Sequence, residues 1–234
     1  MNKSLDGLFA ALGKIEDGAS PVTERQFSIA APPTIAHRFL QPHIASFIRN
    51  NEKTAVTLEV CASDALLTGV SEERFDIGIT DLETQHSGIQ VTPFRKSFLA
   101  CVLPADDPYC AKDEIHPEDL AERDIVALTK RHTARTSTDR IFRNAGLQPR
   151  IVVETATAVS AMEFVRNGTG LALLNPFPIS ASLPDGVVIR RFKPDLEFQT
   201  SFWTAINTAL DAPARAFIRH VKFSTAPDPW SQPI

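Results

Sequence analysis

The sequence predicts an α/β protein made of two α/β halves of similar style. Three observations carry this. Residues 26–80 alternate strand, helix, strand, helix, strand, with crossovers long enough to make the strands parallel. Residues 125–174 follow the same style, with no sequence repeat between the halves. The chain has 234 residues, 43% hydrophobic and 22% charged, enough for one large domain or two small ones sharing a seam.

The first segment, residues 4–16, places Leu5, Leu8, Phe9, Leu12 and Ile15 on one helical face. Ser4 can cap its start, and Gly18 follows its end. A lone helix this short is marginal in water. It needs the following domain, or a second copy of the chain, to pack on. Residues 19–25 read as a polar linker.

Residues 26–31 read as a strand ended by Pro32-Pro33-Thr34. Leu40, Ile44, Phe47 and Ile48 follow at helical spacing, with Pro42 tolerable only in the first turn. Residues 54–60 alternate and are β-rich, so they form a second strand. Ser63 can cap a helix through Ala65, Leu66 and Val70. Residues 75–80 form a third, buried strand.

The second half opens with a longer apolar strand at 98–103, a short helix at 117–120 and a strand at 125–128. A polar, basic loop covers 129–135. A helix at 137–145 bears Ile141 and Phe142 and stops at Gly146. A strand at 150–153 and a helix at 157–167, stopped by Gly168, lead to a strand at 170–174 that ends in Asn175-Pro176. Residues 198–205 form a further strand. Pro213 opens the last helix, with Ala214, Phe217, Ile218 and Val221 on one face. Residues 224–234 hold three prolines and no pattern, and are expected to be an irregular tail.

The formal net charge is −4. A surface that grips DNA by its phosphates is basic, so direct duplex binding by these residues is not expected. The three cysteines, Cys61, Cys101 and Cys110, have no metal-like spacing and read as free thiols of a reducing compartment. Cys101 lies in an apolar run as a small buried hydrophobe, and Cys110 among polar loop residues. No signal peptide and no apolar run of about 18 residues is visible, so a cytoplasmic, non-membrane protein is expected.

Taken in order, certain stretches are similar to the effector domains of LysR-type transcriptional regulators. They are Phe39-Leu40-Gln41-Pro42 with Phe47 and the strand at Val56, then Phe75-Asp76-Ile77-Gly78-Ile79. The stretch 158–176, with Val165-Arg166-Asn167-Gly168-Thr169-Gly170-Leu171 at its centre, and the ending Ala214-Arg215-Ala216-Phe217-Ile218 complete the set. The likeness covers roughly 26–223. It implies two Rossmann-like lobes joined by two crossover strands, a type 2 periplasmic-binding-protein fold, preceded by a linker helix at 1–25. Lobe I would be 26–94 plus 199–223, and lobe II 95–198. It also implies a small-molecule effector between the lobes, pairing of subunits into a homodimer or homotetramer, and DNA contact only through a winged helix-turn-helix domain absent from these residues. A fragment of a longer regulator is therefore expected. Glu154-Thr155-Ala156-Thr157-Ala158-Val159 and Leu174-Asn175-Pro176 look most like the opine-responsive members.

In such a fold a ligand lies where strands end and helices begin, because helix N-termini present unpaired N–H groups and partial positive charge. Four junctions qualify: Pro32-Pro33-Thr34, Ala62-Ser63-Asp64, the stretch 129–137, and the stretch 155–158. The resemblance implies effector contacts at the first, second and fourth, that is at Pro33, Thr34, Ser63, Thr155 and Thr157. Each has a plainer reading: Thr34 a turn residue, Ser63 and Thr157 helix caps. The loop Lys130-Arg131-His132-Thr133-Ala134-Arg135 concentrates cations beside a helix start. Arg131, Arg135 and Thr136 would suit a carboxylate, unless the loop is simply solvated. Asp81 and Glu154 are candidates for a ligand ammonium, although a turn acid is the readier reading of Asp81. Asn175 could bridge to either end of a zwitterion. The ligand chemistry expected is thus a carboxylate, amino-acid-derived ahead of aromatic.

An enzyme is not expected. No G-x-S-x-G, His-x-x-x-His or glycine-rich phosphate loop occurs, and neither a cofactor nor a metal is implied. The nearest rival is a solute-binding protein of a transport system on the same fold, which would carry an export signal.

Overall fold

The computed structural model describes residues 25–234. The expected linker helix and its connector lie outside the described residues. Within them the strands form sheets of six, four and two.

In the large sheet β1 (Arg25–Ala31) lies between β2 (Thr54–Val60) and β3 (Ile77–Thr80), all parallel. Parallel neighbours need crossovers, and two helices supply them. Helix α1 is continuous from Pro33 but changes character. A turn Pro33–Ile35 leads into a π-helical stretch Ala36–Leu40 and then the α-helix Gln41–Arg49. The helix thus begins earlier than expected, and Pro42 lies inside it. Proline lacks an N–H and its ring collides with the preceding turn; the widened π stretch just ahead takes up that misfit. Helix α2 is Ser63–Ser71. Asp76, the acid before β3, accepts from Ser28 N at 2.7 Å and Ser28 Oγ at 2.8 Å, pinning the start of β3 to β1.

Two of the longer strands escaped the sequence reading. One is β4 (Ile89–Phe98), whose Pro93 breaks the strand signal. The proline is tolerated because the ladder to β11 (Glu197–Ala205) shifts register opposite it, between Thr200 and Ser201. The other is β10 (Val187–Phe192). The single strand expected at 98–103 is two, because the chain leaves the large sheet at Leu99 and enters the four-stranded one as β5 (Ala100–Pro104).

The chain therefore passes between sheets twice, outward from β4 into β5 and back from β10 into β11. Strands β4 and β11 pair antiparallel along their whole length, from Glu197 opposite Phe98 to Ala205 opposite Ile89. These are the two crossing strands of the expected α/β fold.

In the second half β5 is flanked by β10 and by β9 (Ala172–Leu174), with β6 (Glu114–Ile115) on the outer side of β10. Cys101 and Leu103 point to one apolar cluster, Ala100 and Val102 to another, so β5 is buried on both faces. Strands β7 (Asp124–Leu128) and β8 (Arg150–Thr155) pair parallel. Helix α3 is Thr133–Asn144 and α4 is Ala158–Arg166. Each is followed by a glycine at positive φ, Gly146 at 70° and Gly168 at 73°, where a side chain would be strained.

The first half has its own core. Phe27, Phe47 and Phe217 meet edge-on or tilted at 5.3–6.1 Å between β1, α1 and α5 (Ala212–Ser224). Such aromatic pairs add about 0.5–1.5 kcal/mol each beyond area burial. The expected irregular tail is corrected in part: residues Ser231–Pro233 form β12, antiparallel to the far side of β4. A free edge on β4 would leave backbone groups unpaired, and the tail fills it.

Candidate functional site

The two halves meet where the ends of β3 and β9 come together through Asp81 and Asn175, and where the turn Pro33–Ile35 after β1 packs on α4 after β8. The seam between them is the candidate cleft. The helix starts that follow β1, β2, β7 and β8 are the junctions singled out above.

At the first junction Pro32 is extended (φ −60°, ψ 153°) and Pro33 begins α1. Thr34 is half-buried, and its turn packs against α4 of the other half. At the second, Ser63 is not the cap. Ala62 holds that position and Ser63 is the first helical residue. Its hydroxyl instead meets Thr80 Oγ1 at 3.1 Å, which also accepts from Leu82 N at 3.1 Å. The hydroxyl pair fixes the turn in which Asp81 sits.

Asp81 and Asn175 meet across the cleft. Asn175 Nδ2 donates to Asp81 Oδ2 at 2.8 Å. Asn175 Oδ1 accepts from Ser97 Oγ at 2.7 Å and from Phe177 N at 3.1 Å. The two halves touch again where Arg38 Nη1 donates to the Ser182 carbonyl at 3.3 Å. The two halves are thus joined by the protein's own polar contacts.

The third junction differs most from expectation. Helix α3 starts at Thr133, with His132 as N-cap, so much of the predicted loop is helical. Arg135 is turned inward, 6% exposed, and donates to Asp139 Oδ1 at 2.8 Å, Glu154 Oε1 at 2.5 Å and the Leu128 carbonyl at 2.8 Å. A buried guanidinium must be paired, and these acceptors pair it. Arg135 and Glu154 are thus paired with each other in this structure. Arg131 and Thr136 are exposed. His132, quoted in the cationic loop but not singled out, has its Nε2 2.9 Å from the Ala156 carbonyl and so ties the third junction to the fourth. Burial holds its pKa below the usual histidine range, with Arg131 pushing the same way; the Ala156 carbonyl and Asp81 push against them.

At the fourth junction Thr155 ends β8, and its carbonyl accepts from Thr129 N at 2.9 Å. Thr157 is the cap of α4: its Oγ1 accepts from Ser160 N at 3.1 Å. Thr129 Oγ1, buried beside the third junction, has no hydrogen-bond partner among the described residues.

Ser97, Thr80 and Phe177 complete the polar framework and were not legible as site residues. Ser97 sits in a mixed strand, and nothing in its neighbours marks it. A cavity of about 280 Å³ lies outside the cleft, between β4, the end of β10 and the tail. Among the described residues no group of three or more His, Cys, Asp or Glu could hold a metal ion. No helix there is long and apolar enough to cross a membrane.

Comparison with known proteins agrees with this fold. The chain is 26% identical over 197 residues to the transcriptional activator protein LysR of Escherichia coli (strain K12), covering 84% of this chain and 63% of that protein. It is 25% identical over 156 residues to regulatory protein NocR of Agrobacterium tumefaciens (strain T37), covering 67% of this chain and 52% of that protein. The chain thus spans between about half and just under two thirds of the length of these curated relatives. Its fold is that of HinK, a LysR family transcriptional regulator from Pseudomonas aeruginosa, with a TM-score of 0.74 at 22% identity over 93% of this chain and 76% of that one. The sequence profile of the LysR substrate binding domain matches residues 22–224. The chain belongs to that family, the non-enzymatic effector-binding domain of LysR-type transcriptional regulators.

Proposed function

We propose that the cleft binds a small carboxylate effector that also carries an amino group, an amino-acid-derived or opine-like compound. The observation that carries this reading is the Asp81–Asn175 contact at 2.8 Å, which places an acid and an amide at facing strand ends between two halves. An ammonium competes with Asn175 for Asp81. The carboxylate is received by N–H groups at the starts of α1, α2 and α4, near Pro33, Thr34, Ser63, Thr155 and Thr157. Arg131 and Thr136 supply exposed donors at the rim. Displacing Asn175 from Asp81 changes the contacts between the halves, and a ligand with different contacts in two states shifts their populations.

The lobes of this reading are residues 26–94 plus 199–223 and residues 95–198. In the whole protein, lobe movement changes how paired subunits, as a homodimer or homotetramer, present a winged helix-turn-helix to DNA in the cytoplasm. The opine-like preference is supported by the stretches 154–159 and 174–176 quoted above.

A thermal-shift screen with amino acids, opines and aromatic acids tests the reading. An effector present at about 100 times its dissociation constant adds about 2.7 kcal/mol. Asp81→Asn should abolish the shift from amine-bearing compounds. If no compound with an amino group stabilises the chain, the amino-acid-derived reading fails.

A further inference from the structure

We propose that residues 228–234 form a latch on the crossing strand β4, and that Arg95 and Ser97 are positioning residues carrying its seating to the cleft. The latch acts on the cleft proposed above as the effector site, and its role in sensing rests on that reading; its mechanical part does not.

The tail approaches both halves. Strand β12 adds to β4 at the point where β4 leaves for the other sheet, with Ser231 opposite Ser97 and Pro233 opposite Arg95. Asp228 Oδ2 accepts from Ser180 Oγ at 3.0 Å, in the segment following β9. Trp230 packs on the apolar cluster of the second half and lies under the Arg191 guanidinium, 5.9 Å from its ring centre. The same seven residues thus grip the crossing strand and the half it leads into.

Arg95 and Ser97 are two apart on β4, so their side chains share a face. Both are almost fully buried, at 4% and 1% exposed. Arg95 donates to Ser231 Oγ at 2.9 Å and to the Ser231 carbonyl at 2.8 Å. Its guanidinium also lies 5.5 Å from the centre of the Phe177 ring. Ser97, opposite Ser231, donates to Asn175, which in turn accepts from Phe177 N and donates to Asp81. One connected set of contacts therefore runs from the tail to the acid in the cleft. A tail that lifts strips the buried Arg95 of both hydrogen bonds, frees one edge of β4 and loosens the residues that hold Asn175. A cavity of about 280 Å³ lies beside the tail, with Pro229 and Trp230 in its lining.

The test is amide hydrogen exchange resolved by residue, on the chain ending at Pro227 and on the full-length variants Ser97→Ala and Ser231→Ala. No arm contains an effector, so failure of the effector reading leaves the result readable. The Phe177 amide, bonded only to the Asn175 side chain, is the reporter. All three proteins should exchange it roughly tenfold faster than the parent, with α3 and α5 unchanged. In Ser97→Ala the Ile234 amide, bonded to the Phe94 carbonyl, should stay protected, because the tail remains seated. An unchanged Phe177 rate in Ser97→Ala overturns the relay. An unchanged rate in the truncated chain overturns the latch, and if that chain does not fold, an unchanged rate in Ser231→Ala does the same.

Discussion

Asn175 and Asp81 lie 94 positions apart in the chain and 2.8 Å apart in space, the amide of one half donating to the carboxylate of the other. Each stands just past the end of a buried strand. The contact satisfies both groups in the absence of anything else, and it is also the contact that a ligand ammonium would have to displace. In the function proposed above, stability and sensing draw on the same pair.

Asn175→Ala removes three hydrogen bonds at once and leaves Ser97 Oγ and Phe177 N without acceptors. It should cost about 1–3 kcal/mol, chiefly through the buried serine. Urea unfolding of the parent and the variant measures this. A cost below about 0.5 kcal/mol would mean that water replaces the amide without penalty.

Arg135 separates a structural cation from a ligand-binding one. Arg135→Met keeps the buried aliphatic length but leaves the Leu128 carbonyl, Asp139 and Glu154 without it. A loss of about 2–3 kcal/mol in unfolding free energy is expected, moderated because Glu154 is 44% exposed and can turn to solvent. Effector affinity should change by less than about twofold, since the side chain faces inward. A loss of affinity without loss of stability would return Arg135 to the cleft.

Thr157→Ala tests the cap. The variant loses the acceptor for Ser160 N at the start of α4 and should be destabilised by about 1 kcal/mol. Thermal unfolding checks it, with Thr157→Ser expected to restore the loss.

Acid should destabilise the chain through two histidines. Burial is the main cause lowering the pKa of His43, with His220 nearby adding to it, and burial likewise lowers His132. In the unfolded chain both titrate near about 6.5, so below that pH the unfolded state binds more protons than the folded one. Stability is therefore full above about pH 7 and falls as pH drops through the unfolded value towards the lower folded ones. His43→Gln should flatten the slope of unfolding free energy between about pH 7 and pH 5. An unchanged slope would show that His43 is already solvated.

Cys101 is fully buried, and burial pushes its thiol far above the ordinary range. The thiolate is the reactive form, so labelling of Cys101 should require unfolding. Mass spectrometry of the chain under an aromatic disulfide reagent, in water and in denaturant, distinguishes it from half-buried Cys61 and Cys110.

Much of the architecture was readable from residue order alone. Strands β1, β2 and β3 and helix α5 follow from two-residue and three-to-four-residue spacing of apolar side chains. Those periods report which face is buried. Gly146 and Gly168 mark the ends of α3 and α4, because positive φ excludes most other residues. Strand β4 was missed because Pro93 argues against a strand, and only pairing with β11 at a register shift reveals why it is tolerated. The tail was missed for a similar reason: β12 has no apolar alternation and exists because β4 offers it an unpaired edge.

The site divides along the same line. The sequence by itself determined that helix starts, an acid at 81, an amide at 175 and cations at 131 and 135 lie near strand ends, because strand ends and helix starts are local properties of the chain. Only the tertiary structure decided which of them face each other. Asp81 turned to Asn175, Arg135 turned inward to Glu154, and Ser97 and Arg95 joined the tail to the cleft. Partners so far apart in the chain are chosen by packing, since a buried polar group must find its partner wherever the fold brings one within reach.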